Sequence, residues 1–567
     1  MPSRFEEASH EPGRHEWCPE FDQVRDLLRG YCQPFMETLS RINAKTDDIT
    51  LFTDAGDPNQ MPNEAADTIL GFCRFVTSAG AFKRKAGNRL LAVIHDSDST
   101  GRCREPRPPL AVTKLHEALL KPRFKLESHI SSSSGKIDAT EPLCSKNKHG
   151  KDITKASTNE ISDANRRLVF VVNPDECAVW ALAVTVSHME ALAMRTFISN
   201  YIAFKASFDV IIPTEGALTF AMSFHLPYYA LRDASKGAQF HDSRELRSVE
   251  NIGFLRQSPQ TDIGSSSLCK HMYQAKLSCL VTGQDLRIWT AYMFFDNYND
   301  YEGDDIHEEY NPDKEALNKA RLTLDPFSGK PLAWPQITPR EYFLRALEVL
   351  STQADKEWSS TVSHIVSDFD ATRIIYAGRL YDHGEEGRAL RQDYSKWTNS
   401  VITLLAKLKR SLDQCVNAWE SFATDGGLCY FRHMTRIDRR RVDIIITNFK
   451  HMSSLLRELE VVNSELMNIT TQLGYLLSHE SNEMANLQSE TAKDVKVLTW
   501  VTFHSIPFTL AAAFLSTRAE ILPLPETPAT VVIFQRAVLC NVEAFRDRYV
   551  RKGKAYDAPQ NKCRAIG

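Results

Sequence analysis

The sequence lacks a strong excess of charge of either sign. Its 68 lysines and arginines are matched by 72 aspartates and glutamates, which leaves a formal net charge of -4 over 567 residues. Proteins that bind nucleic acids usually carry a dense basic surface. The charge balance therefore makes a nucleic acid a poor candidate partner, and we predict no nucleic-acid binding.

Paired cysteine motifs and a secretory leader are also lacking. The 12 cysteines are scattered without a C-x-x-C pair, which favours reduced thiols in an intracellular compartment. The first residues, MPSRFEEASHEPGRHEW, include no apolar stretch of the kind found in signal peptides. We expect the large N-terminal part to lie on the cytosolic side.

Sequence signatures of enzymes are lacking as well. The chain has no GxxxxGK[ST] phosphate loop, no GxSxG nucleophile turn, no HExxH zinc motif and no glycine-rich dinucleotide turn. Its histidines at 188, 225, 271 and 307 lie in no recognised catalytic or metal-ligand motif, and each is interpreted as a surface or capped core histidine. We therefore predict that the protein is not an enzyme and that it uses no resident cofactor.

Between Lys496 and Arg518 the chain has no aspartate, glutamate, lysine or arginine. A helix rises about 1.5 Å per residue, so this uncharged run is long enough for a hydrocarbon core of about 30 Å. A buried core helix is the alternative, although such helices usually carry a charged or amide side chain within about two turns. The run predicts a transmembrane helix at residues 496–517 and a single-pass membrane protein.

Two apolar heptad patterns precede this run and predict a helical stalk over residues 337–495. The second pattern extends from Val442 to Leu487, and the first from Trp397 to Phe422. Asp425-Gly426-Gly427 separates them and can end one helix and turn the chain. The pair is expected to form an antiparallel hairpin, whose second arm continues into the bilayer.

Residues before the stalk alternate between apolar runs and polar stretches. Strands are predicted at 89–94, 167–172, from Leu218 to about Pro227, at 275–281 and at 288–295, with a short helix at 112–120. A serine- and lysine-rich segment, 128–165, is predicted to be a disordered insertion. Thr338-Pro339-Arg340-Glu341 is a capping box that predicts a helix start.

These patterns predict an α+β cytosolic domain followed by a long helical stalk that continues into a transmembrane helix. In this division 1–127 and 166–336 form the cytosolic domain, around the insertion. The stalk, the transmembrane helix and an atypical tail at 518–567 follow.

The uncharged run also carries a stripe of hydroxyl groups. Thr502, Ser505, Thr509 and Ser516 are candidate pore-lining residues, and Pro507 is a candidate kink. The alternative is that each hydroxyl bonds to a carbonyl of its own helix, as serine and threonine commonly do in membrane helices. The sequence by itself leaves the two interpretations open.

An acidic run extends from Asp296 to Asp313. Its carboxylates at Asp304, Asp305, Glu308 and Glu309 are weak candidates for binding Mg²⁺ or Ca²⁺, which prefer oxygen ligands. Their spacing does not match an EF-hand loop. A solvated acidic loop is the simpler interpretation.

Four phrases in the second half of the chain resemble the divergent fungal branch of the CorA-like magnesium transporters. They are FHLPYYALR, SCLVTGQDLRIWTAYMFFDNY, LDPFSGKPLAWPQITPREYFLRALEVL and KVLTWVTFHSIPFTLAAAFLST, which lie between Phe224 and Thr517. The resemblance implies a cytosolic α/β domain, a stalk helix that becomes the first membrane helix, and a second membrane helix. It also implies a homo-oligomer of five subunits that passes Mg²⁺ or a related divalent cation across the lipid bilayer.

In this resemblance, the T-x-x-x-x-P-x-T pattern at Thr502, Pro507 and Thr509 identifies the residues that would line the pore.

The chain departs from the family in two places. Phe514 to Arg518 replaces the family's Gly-Met-Asn loop, and the longest uncharged stretch after Arg518 is only nine residues, 527–535. The expected function is a divalent-cation channel or transporter subunit; the alternative is a non-conducting, single-span interaction protein with an oligomerising stalk.

Overall fold

The computed structural model describes residues 17–28, 31, 34–40, 46–54, 63–98, 109–124, 163–212, 219–233, 241–256, 270–298, 337–382, 384–431 and 435–516, together with 529, 532–533, 536 and 540. The predicted insertion at 128–165 and the tail at 518–567 lie almost wholly outside these residues. The chain divides into two compact units, Met1–Thr470 and Thr471–Gly567.

In the described residues, the first unit contains one mixed sheet of eight strands. Their order is β2-β1-β3-β8-β7-β5-β4, with β6 beside β7. β3 and β8 are parallel, and the other described pairs are antiparallel. The strands are β1 (Leu90–Ser97), β2 (Leu110–Ala111), β3 (Arg166–Val172), β4 (Ser207–Ile211), β5 (Phe220–Asp233), β6 (Val249–Asn251), β7 (Lys270–Gly283) and β8 (Trp289–Phe295).

Seven short helices of the described part of the chain cover one face of this sheet. Their apolar side chains share one buried cluster with β1, β3 and the inward side chains Leu280, Tyr292 and Phe294 of β7 and β8. The helices are α1 (Phe35–Ser40), α2 (Asp48–Asp54), α3 (Asn63–Phe72), α4 (Ala79–Lys85), α5 (Val112–Leu120), α6 (Glu176–Thr185) and α7 (Ala191–Ile202). The predicted α+β class, in which strands and helices occupy separate parts of the chain, is therefore wrong. The fold is mixed α/β, with helices and strands interleaved along the chain.

The described residues also form three long helices, α8 (Pro339–Ala377), α9 (Glu385–Thr424) and α10 (Arg436–Ser516). Helices α8 and α9 cover the opposite face of the sheet, and the part of α10 that belongs to the first unit packs beside them. The Phe343 ring of α8 packs edge-on against Phe224 of β5, with 5.5 Å between ring centroids. Trp419 of α9 stacks on Phe449 of α10 at 4.6 Å. These aromatic contacts connect α8 to the sheet and α9 to α10, and they form part of a second apolar core on this side of the sheet.

The predicted capping box begins α8. The Thr338 hydroxyl accepts a hydrogen bond from the backbone N–H of Glu341 at 3.2 Å, and the Glu341 carboxylate accepts one from the N–H of Thr338 at 2.9 Å. Two of the backbone N–H groups that a helix start leaves without partners are satisfied in this way. The capping-box prediction is confirmed.

Strand β5 does not end at Pro227 as the sequence suggested. It continues to Asp233 and pairs with β7 throughout, with Pro227 opposite Lys276. Its other neighbour, β4, pairs with β5 only up to His225. Pro227 therefore lies where β5 is bordered by one strand, a position at which a missing N–H is tolerated.

The prediction of a transmembrane helix at 496–517 is contradicted. Helix α10 is 81 residues long and covers nearly all of that run, but no helix in the described part of the chain is long and apolar enough to cross a membrane. The absence of charge is a weaker criterion than apolarity, because threonine, serine, histidine and proline interrupt this run. The fold class is accordingly corrected to a mixed α/β unit with a long helix.

Candidate functional site

The hydroxyl stripe of α10 is bonded within its own helix. Thr502 donates to the carbonyl of Leu498 at 2.8 Å, Ser505 to that of Thr502 at 3.2 Å, and Thr509 to that of Ser505 at 2.6 Å. The three side chains are exposed. These hydrogen bonds are the ones that the alternative interpretation describes, and the pore-lining role of the same residues stays a prediction. Position 507 and Ser516 lie within α10, but their side chains are outside the described part.

The same part of α10 exposes an unusual number of large apolar side chains. We call residues 484–510 the apolar segment. Its exposed side chains include Leu498 (67%), Val501 (49%) and Leu510 (52%). Isolated exposed apolar residues are normal on a protein surface, whereas a contiguous set marks a binding surface. The apolar segment is the candidate functional site of this chain.

The candidate metal ligands Asp304, Asp305, Glu308 and Glu309 lie outside the described residues. Within the part that is described, no group of three or more histidine, cysteine or acidic side chains could hold a metal ion. The metal prediction therefore rests on sequence alone.

Asp296, the first residue of the acidic run, is not in a solvated loop. It is fully buried at the end of β8. One carboxylate oxygen accepts hydrogen bonds from the Tyr201 hydroxyl and from Arg244 Nη1 at 2.9 Å. The other accepts from Arg247 Nε at 2.7 Å. Asp296 is thus the centre of a buried ion-pair cluster, which the sequence analysis did not identify.

Several elements position the Asp296 cluster. Tyr201 lies in the last turn of α7, and Asp242 fixes the loop that carries both arginines by accepting from Arg244 Nε at 2.6 Å and from the N–H of Arg247 at 2.9 Å. Arg247 Nη2 then donates to the Tyr201 carbonyl at 3.0 Å. A cation at the carboxyl end of a helix is favourable because the helix dipole is negative there.

The electrostatics of the cluster follow from these contacts. Burial alone would raise the pKa of Asp296, but Arg247 and Arg244 outweigh it and hold that pKa at about 2. Lys276, on the neighbouring strand, donates to the carbonyl of Asn200, and burial together with Arg247 lowers its pKa well below the usual value. Two arginines therefore balance Asp242 and Asp296, beside a buried lysine.

This arrangement is suited to holding chain segments together. The carboxylate oxygens of Asp296 are occupied by three donors, and the cluster is closed off from solvent. A sequence signal was available, because Asp296 directly follows the buried strand AYMFF. An acidic residue at the end of such a strand is a candidate for burial with a cationic partner.

Comparison with known proteins finds no family model that matches this chain and no curated protein that resembles it significantly.

Proposed function

We propose that this protein is a subunit of a homo-oligomer that assembles through the apolar segment of α10, and that the assembly transports a divalent cation in the manner of CorA-like proteins. The observation that carries the proposal is the exposure of large apolar side chains along one helix. Burying a leucine or valine side chain stabilises an assembly by about 1.5–3 kcal/mol. Burial of several such side chains at one interface therefore favours association and offsets its entropic cost.

The spacing of these side chains supports packing between copies of the same helix. Met484 and Leu487 are three residues apart, as are Leu498 and Val501, and both pairs fit one heptad register in which Thr491 and Asp494 occupy the seam positions between them. Met484, Leu487, Leu498 and Val501 are all exposed. A second copy supplies a matching seam, since both partners carry the same apolar residues at the same heights.

The hydroxyl stripe lies on the same side of α10 as this seam. Each residue advances about 100° around a helix, so Ser505 and Thr509 lie within about 20° of Leu498, and Thr502 lies about 40° away. Copies that associate through Leu498 would place these hydroxyls near the centre of the bundle. Such a ring of hydroxyl groups is suited to contact the water shell of a hydrated Mg²⁺ ion.

The resemblance described above supports cation transport in particular. Its phrases SCLVTGQDLRIWTAYMFFDNY and LDPFSGKPLAWPQITPREYFLRALEVL include strands β7 and β8 and the start of α8. The proposal concerns assembly and cation passage, with the sheet domain on the cytosolic side. None of the described helices is proposed to cross the bilayer. The proposed transported substrate is Mg²⁺.

Two measurements test the two parts of the proposal. The native mass of the full chain, purified in mild detergent, should exceed that of one subunit, and the double variant Leu498→Glu/Val501→Glu should reduce it. Val461→Glu is the matched control, since Val461 is 59% exposed on the same helix but lies outside the apolar segment. A variant mass equal to that of the wild type would contradict the assembly interface.

Cation transport is tested in a host that lacks its own magnesium uptake. The wild-type chain should restore growth at low Mg²⁺, and Leu498→Glu/Val501→Glu should not. Oligomers that form normally but give neither growth nor Mg²⁺ uptake would overturn the transport proposal and leave the non-conducting interaction protein.

A further inference from the structure

Residues 17–28, which we call the N-terminal strap, contact the first unit as a bound peptide would. The strap contains no strand and only one short helical turn, Pro19–Asp22. Trp17 (8% exposed) and Phe21 (fully buried) point into the protein, while Val24 is 66% exposed. The other residues of the strap are half-buried or exposed, and two buried aromatic anchors in such a segment are typical of peptide recognition.

The first contact of the strap is with the sheet. The rings of Trp17 and Phe21 pack on Phe220, the first residue of β5, with centroid distances of 5.1 and 5.3 Å. They also pack on each other at 5.4 Å. This three-ring group fixes the strap to the start of the longest paired region of the sheet.

The second contact is with the helical layer and passes through Arg340, in the first turn of α8. Its guanidinium lies 4.6 Å from the Trp17 ring centroid, and Nη2 donates to Asp22 Oδ1 at 3.1 Å. Nη1 donates to the carbonyl of Tyr430, between α9 and α10, at 3.1 Å. One side chain thus joins the strap to α8 and to the α9–α10 connection.

The third contact is with the turn between β7 and β8. The N–H of Arg25 donates to Asp285 Oδ2 at 2.9 Å, and the N–H of Leu28 donates to Gln284 Oε1 at 3.1 Å. The Gln284 amide in turn donates to the carbonyl of Asp26 at 3.1 Å. Gln284 and Asp285 are fully buried, so removal of the strap would take away partners of buried polar groups.

We propose that the N-terminal strap is a releasable clamp that locks the start of α8 onto the sheet. The strap bridges the start of β5, the β7–β8 turn and the helical layer within twelve residues. Its own backbone belongs to no strand or long helix that would hold it independently. Its release would loosen the contact between sheet and helices, which makes it a conformational control point independent of the proposed transport activity.

Hydrogen exchange on the full chain tests the clamp. In Trp17→Ala/Phe21→Ala, the backbone amides within 339–345, where Pro339 has none, and within 284–289 should exchange about tenfold faster or more, because truncation of buried aromatic anchors commonly shifts a docking equilibrium by at least that factor. The paired segments of β5 and β7 should keep their wild-type rates. Val24→Ser, an exposed change on the same strap, should leave all of these rates unchanged.

A charge exchange supplies a second test that does not depend on removing the aromatic anchors. Asp22→Arg and Arg340→Asp should each accelerate exchange at 339–345, and the two together should restore part of the protection. The clamp is overturned if strap amides exchange faster in Trp17→Ala/Phe21→Ala while 339–345 keeps the wild-type rate. Equal rates in the single and double charge variants would overturn it as well.

Discussion

Replacing Asp296 by asparagine is the sharpest test of the buried cluster. The amide has nearly the shape of the carboxylate but carries no charge, so Arg244 and Arg247 would remain buried without their shared counter-ion. Both arginines are about 1% exposed or less in the side chain. Breaking a buried ion pair on one side usually costs about 3–5 kcal/mol, and we expect a loss of that size in the free energy of unfolding.

The pH dependence provides an independent measure of the same interaction. The pKa of Asp296 falls from the ordinary 3.8 to about 2 in the folded protein, a difference worth about 2 kcal/mol of stability. Because the folded-state pKa is the lower one, this stability is present above about pH 4. It is lost as the pH falls from 3.8 towards 2, when the carboxylate becomes protonated.

Urea unfolding followed by tryptophan fluorescence, at pH 7 and at steps down to pH 2, measures both effects. Asp296→Asn should be less stable at pH 7 and should lack the part of the acid-induced loss that belongs to Asp296. Asp413→Asn, which changes an exposed carboxylate of α9, is the control. If the free energy of unfolding of Asp296→Asn at pH 7 were within about 0.5 kcal/mol of the wild-type value, the stabilising role of the Asp296 ion pairs would be refuted.

Three further substitutions probe the fold by the same unfolding assay. Gly283→Ala should destabilise by about 1–3 kcal/mol, because a new Cβ would lie 2.5 Å from the Cβ of Trp289; an unchanged midpoint would contradict that contact. Thr338→Ala should cost about 1 kcal/mol by removing the cap shared with Glu341, and a neutral result would deny the capping box. Thr502→Val should change the free energy of unfolding by less than about 0.5 kcal/mol, since its hydroxyl bonds only within α10; a larger loss would indicate a partner outside the helix.

The elements that were predictable from sequence depend on local patterns. The apolar runs of β3 and β8, the helical period of α9 and the capping box at Thr338 are each encoded within a few neighbouring residues. For these elements, periodicity and end signals are sufficient. These elements could therefore be predicted without knowledge of tertiary contacts.

The elements that were missed depend on contacts distant in sequence. Pro227 is accepted in β5 because β4 ends beside it, a fact that no local pattern contains. Asp296 stands at the start of an acidic run and therefore suggested a solvated loop, but Arg247, 49 positions earlier, makes it a buried ion. In both cases the tertiary environment overrides the local preference.

The prediction of a transmembrane helix at 496–517 is wrong for a related reason. The run lacks charged residues but is not uniformly apolar, because Thr502, Ser505 and Thr509 place hydroxyl groups along it. The alternative interpretation of the sequence already predicted that these hydroxyls bond to carbonyls of their own helix. The extent of exposure of Leu498 and Val501 could be seen only in the structure.

The most direct test of the account is the native mass of the full-length chain beside that of Leu498→Glu/Val501→Glu. The account predicts a stable oligomer for the wild type and for Val461→Glu, and a shift towards the single subunit of 64.3 kDa for the double variant. A wild-type chain that remains a single subunit at micromolar concentration would contradict assembly through α10.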